Sequence, residues 1–155
     1  MSKNNNEADL RNKIYSYSQI RRNLSGGGPD VGSSSLEDFV ADSKYRAKLY
    51  REEEQIFSSL NPSGLLEGLR LGKDAQKELQ SRQELDYRTL DWQIRYDAMG
   101  FGSRCKDLLE TLIKSGDFTP DGEQIDFLIE MGIDVAELLI EQQVAMEQET
   151  DTENK

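Results

Sequence analysis

The sequence predicts an all-α protein: a small bundle of short helices with a long preceding helix and disordered N- and C-terminal arms. Three observations predict it. Beyond residue 100, apolar residues recur at helical spacing three times: Cys105, Leu108, Leu109, Leu112 and Ile113; then Ile125, Leu128 and Ile129; then Val135, Leu138, Leu139 and Met146, with Gln142 interrupting the last stripe. Stop and start signals at Gly116, Thr119-Pro120-Asp121, Gly132 and Asp134 separate those stripes. Acid-then-base pairs four apart (Glu78/Arg82, Glu84/Arg88, Asp91/Arg95) take the orientation a helix favours. Helices this short do not stand alone in water, because nucleation is costly, so their apolar stripes require a packing partner.

Residues 1–34 open on an Asn run, contain Ser-Gly-Gly-Gly-Pro at 25–29 and end near Gly-Ser-Ser-Ser. Such a segment buries too little to offset its ordering entropy and reads as a flexible arm. Its sticky patch is Ile14, Tyr17 and Ile20 with Tyr15, Arg21 and Arg22, suited to docking on a partner or a sister subunit. Residues 35–60 read as an amphipathic helix with Ser35 as N-cap and Glu37 and Asp38 in the first turn. Its apolar residues run from Leu36, Phe39 and Val40 through Tyr45 and Leu49 to Ile56, Phe57 and Leu60, without holding a heptad. Pro62 disfavours helix at Asn61 and breaks the run.

Residues 61–72 form a Gly-rich connector in which Gly64, Gly68 and Gly72 recur every fourth position. That spacing suits either a loop or a helix face allowing close backbone approach. A helical domain is expected over 73–149. Leu90, Trp92, Ile94 and Tyr96 alternate as in a strand, but the absence of Gly or Pro between Lys73 and Met99 and the charge pairs favour helix. Gly100-Phe101-Gly102 is expected to end that helix, with Ser103 capping the next. Residues 150–155 read as a polar tail.

The totals exclude much chemistry. Apolar residues make up 35% of the chain, below the roughly 45–50% of globular domains counted with Gly, so the core should be small. There is no His, which removes His-based triads and the commonest metal ligand. Cys105 is the single cysteine; it allows no internal disulfide, and its place in an apolar stripe reads as a small hydrophobe. The polar N-terminus is no secretory signal, and no stretch approaches the ~20 apolar residues needed to span a bilayer. A cytoplasmic location, in host cytoplasm or virion if the source is viral, is the expectation. Of the net charge of −11, residues 117–155 account for twelve acids against Lys155, whereas residues 1–34 carry five bases against three acids.

Two strings are similar to known motifs. With Asp117 as position one, Thr119, Asp121 and Gly122 fall third, fifth and sixth as in a calcium-binding EF-hand loop, but the twelfth position is Leu128 where a bidentate Glu should stand. Helix capping accounts for the same residues. The string from Gln124 to Ile133 resembles the first helix and Met-Gly-aromatic loop of ubiquitin-associated domains over ten residues, with Ile133 where an aromatic is usual. A third helix should then follow the second, yet the chain runs into its polar tail. The pairs Asp121/Glu123, Asp126/Glu130 and Glu137/Glu141 read as a solvated acidic face, with no catalytic, cofactor-binding or metal-binding residue assigned.

These readings converge on a non-enzymatic, acidic, helical interaction or assembly protein, similar in composition to viral scaffolding and accessory proteins. The expected partner is a protein with a basic surface, with a homo-oligomer as a further possibility; phosphate repulsion disfavours direct nucleic-acid binding. The expected contact residues are Leu108, Leu112, Leu128, Leu138 and Leu139 for apolar docking, and Asp126, Glu130, Glu137 and Glu141 for charge. The alternative is an inhibitor whose carboxylates stand in for phosphates before a nucleic-acid-binding protein.

Overall fold

A computed structural model describes residues 3–26, 35–81 and 90–153, and those residues form six helices and no strand. They are α1 (Lys3–Gly26), α2 (Leu36–Ser58), α3 (Pro62–Ser81), α4 (Leu90–Ser115), α5 (Gly122–Glu130) and α6 (Val135–Glu153). The all-α expectation holds. The chain divides into two compact units, Met1–Cys105 and Lys106–Lys155, and α4 supplies residues to both. No helix among the described residues is long and apolar enough to cross a membrane.

In the first unit, the arm expected over 1–34 is helical from Lys3 to Gly26. The reason lies in the spacing of its few apolar residues. Leu10, Ile14, Tyr17 and Ile20 follow one another at four, three and three positions, share a face, and are all buried. The sticky patch therefore docks within the chain's own fold, against α2 and α3. Buried Ser18 donates back to the Ile14 carbonyl at 2.9 Å, so its hydroxyl is satisfied. The Gly- and Ser-rich stretch at 27–34 lies outside the described residues.

Ser35 caps α2 as expected, its side chain accepting from the Asp38 amide. The apolar face of this helix is shorter than the sequence suggests. Only Leu49 and Phe57 are buried among its hydrophobic residues, while Leu36, Phe39 and Val40 stand 77, 68 and 41% exposed. Buried Glu53 is neutralised by Arg21 of α1, whose Nη2 donates to Oε1 at 3.0 Å and whose Nε lies 2.9 Å from Oε2. The rings of Tyr17, Phe57 and Phe101 close the centre of this unit: Tyr17 meets each of the others edge-on at 5.6–5.7 Å, and the two phenylalanines stack at 5.0 Å.

The Gly-rich connector expected over 61–72 is instead part of α3. Asn61 starts the helix: its Oδ1 accepts from the Gly64 amide at 2.8 Å and its carbonyl accepts from Leu65 at 2.9 Å. Pro62 stands at the first helical position, where its missing amide hydrogen costs nothing. Gly100-Phe101-Gly102 likewise does not end a helix, since α4 runs through it to Ser115. Both departures have one cause. A Cβ built on Gly72 would lie 2.8 Å from Gly102 Cα, and one on Gly68 would lie 2.6 Å from Cys105 Sγ and 2.9 Å from Phe101 Cε1. The glycines of α3 and α4 face each other, and tertiary contact outweighs the roughly 1 kcal/mol that each Gly costs a helix. Residues from Leu90 onward are helical, not extended. The Asp91/Arg95 pair forms, with Arg95 Nε donating to Asp91 Oδ2 at 2.9 Å, and Arg95 also bonds Glu78 of α3. Arg82 and the Glu84/Arg88 pair lie outside the described residues.

Cys105 is fully buried, and burial alone pushes its thiol up to about 12. At pH 8 only about one thiol in ten thousand would be ionised. Ellman's reagent should therefore leave the native protein unlabelled over hours and label it stoichiometrically in denaturant. Rapid native labelling would contradict the burial.

Candidate functional site

The second unit is organised by its turns. Gly116 adopts φ +86° and Gly132 φ +82°, the left-handed values that close α4 and α5 and that a side chain would strain. After Gly116, the amides of Asp117 and Phe118 both return to the Leu112 carbonyl at 3.0 and 3.1 Å. The α5 start lies two residues later than Thr119 would place it. Asp121 is the cap: its Oδ1 accepts from the Gln124 amide, and the Gln124 side chain accepts from the Asp121 amide, both at 2.9 Å. Asp134 starts α6 by accepting from the Glu137 amide at 3.2 Å.

Thr119, freed from capping, donates to Gln142 Oε1 at 3.2 Å. Gln142 is the residue that interrupts the α6 stripe, and the structure gives the reason. It is buried, and its Nε2 donates to the carbonyls of Ile113 and Phe118 at 2.9 and 3.0 Å. One amide thereby gives the Ile113 carbonyl a second donor beside the Gly116 amide and fastens the 117–121 loop to α6. The residues that resemble an EF-hand loop are occupied in this architecture. Asp117 accepts from the Ser115 hydroxyl at 2.8 Å, Asp121 is the cap, and Leu128 is fully buried. Among the described residues no three acidic or cysteine side chains converge in a way that could hold a metal ion.

The nine expected contact residues divide sharply. Leu128 and Leu138 are buried core, and Leu108, Leu112 and Leu139 are partly covered. The physical reason is economy of apolar residues. With so few of them, the best-spaced stripes are consumed in making short helices stable. Of the acidic half, Asp126, Glu130 and Glu137 are exposed, and Glu141 is partly covered with Lys114 Nζ at 3.8 Å.

The apolar residues left facing solvent are different ones: Ile129 at 57%, Ile140 at 58% and Val144 at 47% exposure. They lie on α5 and α6 interleaved with Asp126, Glu130 and Glu137. Ile140 and Val144 are an i, i+4 pair, so a second and shorter stripe was present in α6 beside the longer one that forms the core. Exposed β-branched side chains among carboxylates are suited to contact with another macromolecule. No protein family, curated protein or solved structure matches the chain.

Proposed function

We propose that this is a non-enzymatic interaction protein that docks a basic protein partner on the outer surface of α5 and α6. The observation that carries this reading is the exposure of Ile129, Ile140 and Val144 beside Asp126, Glu130 and Glu137. Carboxylates at the rim would steer a cationic partner to the surface, and the desolvated apolar side chains would supply affinity. Charge also discriminates between a partner and a second copy. With net −11, two copies meeting through this face would bring like charges together, which opposes self-association at low salt.

The test compares three full-length proteins in affinity capture from the source cells, with the captured proteins identified by mass. They are the wild type, Ile129→Ser/Ile140→Ser/Val144→Ser, and Asp126→Asn/Glu130→Gln/Glu137→Gln. The wild type should retain a protein with a basic surface. The serine variant should lose it while its unfolding midpoint moves little, since exposed substitutions stay within about ±0.5 kcal/mol each. The amide variant should bind more slowly and with a weaker salt dependence. Equal capture by the serine variant would refute the reading. If only the amide variant failed, and DNA displaced the partner, the carboxylates would be acting as phosphate surrogates instead.

A further inference from the structure

A second feature lies wholly within the first unit. An open cleft of about 650 Å³ lies between α1, α2 and α4, and its walls include Arg21, Arg22, Arg46, Tyr50, Tyr96 and Asp97. Pockets that hold small ligands span about 300–1,000 Å³. Three guanidinium groups, those of Arg21, Arg22 and Arg46, reach this cleft. Arg21 is committed to Glu53, and Arg46 Nε donates to Asp42 Oδ2 at 3.2 Å. Arg22 differs: its Nε is buried and has no hydrogen-bond partner among the described residues. A buried donor left unmade is costly, and native structures seldom leave one without a use.

The aromatic side chains supply a second requirement. Tyr50 and Tyr96 are 51 and 55% exposed, and Tyr96 stacks on Trp92 at 5.5 Å and 20°, giving a flat apolar wall on which a planar ring can lie. Asp97 supplies a third. It is buried on the same wall, where both its oxygens accept from Gln93 Nε2 at 3.1–3.2 Å, and it remains an acceptor with spare lone pairs. Burial also raises its pKa.

We propose that this cleft binds a nucleoside phosphate whose base carries an exocyclic amine, the phosphate on Arg22 and Arg46, the base against Tyr96 with its amine toward Asp97. Guanidinium groups recognise phosphate oxygens through paired N–H donors. A polyanion is disfavoured by the charge of the whole chain, whereas a single nucleotide meets only the local field. A phosphotyrosine side chain would satisfy the arginines and the rings but would leave Asp97 without a donor.

The test is calorimetric titration of the full-length protein with AMP, adenosine, UMP and a phosphotyrosine peptide. AMP should bind saturably. Adenosine and the Arg22→Gln protein titrated with AMP should each be weaker by at least about tenfold, as expected for loss of one charge-assisted contact. UMP, which lacks the amine, should be weaker by a few-fold. Arg46→Gln and Tyr96→Ala, both at exposed positions and checked by far-UV circular dichroism, should weaken AMP as well, so the result does not depend on Arg22→Gln folding. Absence of saturable AMP binding, AMP affinity unchanged in Arg46→Gln and Tyr96→Ala, or tighter binding of the peptide would each overturn the proposal.

Discussion

Replacing Gly72 with Ala should destabilise the first unit by about 1–2 kcal/mol, although Ala is the better helix former by roughly 1 kcal/mol. The sign follows from what the new methyl would meet. A Cβ at Gly72 lies 2.8 Å from Gly102 Cα and 3.0 Å from the Ala98 carbonyl oxygen, and both are backbone atoms of α4 that no rotamer change can move. The two helices would have to separate, loosening Gly68 against Phe101 and Cys105 at the same crossing. Overpacking of this kind costs about 1–3 kcal/mol and sometimes more, so it outweighs the gain in propensity. Gly72→Val, bulkier and β-branched, should lose 3 kcal/mol or more. Gly64→Ala is the control: its Cβ would meet the Leu60 and Asn61 side chains at 3.3 and 3.4 Å, which can yield, so it should be neutral or stabilising by up to about 1 kcal/mol. Urea unfolding followed by far-UV circular dichroism reads all three. A Gly72→Ala protein as stable as Gly64→Ala would mean that α3 and α4 do not cross at this distance.

That crossing also marks where sequence reading succeeds and where it stops. Periodicity located the helices after residue 100, and cap chemistry located Ser35, Gly116, Gly132 and Asp134, because those signals are local: each depends on a residue and its neighbours within one turn. Gly100-Phe101-Gly102 read as a helix stop for the same local reason. What overrides it is Gly72, nearly thirty residues away, and a rule confined to one turn cannot register that contact. The arm over 1–34 read as flexible on composition, while its four buried apolar side chains form a narrow stripe that composition averages away.

The candidate surface was half legible. Its acidic residues are exposed because desolvating a carboxylate is costly wherever the helix lands, so charge alone placed Asp126, Glu130 and Glu137. Its apolar residues were not legible, because a stripe announces that a helix buries something without saying whether the partner is inside the chain. Leu128 and Leu138 found their partner within the fold. Ile129, Ile140 and Val144, at poorer spacing, were left outside.

The interrupting glutamine gives the sharpest case of a residue whose worth is invisible locally. Gln142→Leu keeps the volume and would improve the α6 stripe on paper, yet it should destabilise the second unit by about 1–3 kcal/mol. The loss is in the acceptors. Without Nε2 the Phe118 carbonyl loses its donor and the Ile113 carbonyl keeps only the Gly116 amide at 3.2 Å, and a buried acceptor left unmade costs about 1–3 kcal/mol. Thr119→Val removes only the hydroxyl that Oε1 accepts, and should cost about 0.5–1.5 kcal/mol. Gln142→Glu separates hydrogen bonding from shape. A carboxylate there would face two carbonyl oxygens in a buried site, so its folded-state pKa would be raised above its unfolded value. A group raised in this way favours folding when protonated and loses that contribution as pH rises through the folded-state pKa. The Glu variant should therefore be at least as unstable as the Leu variant at pH 8 and should recover part of the difference at pH 5, where its protonated form again donates. Chemical denaturation of the three proteins at both pH values would show this. If Gln142→Leu matched the wild type at both, the amide would be no more than a tolerated polar residue, and the attachment of the 117–121 loop to α6 would have to come from its apolar contacts alone.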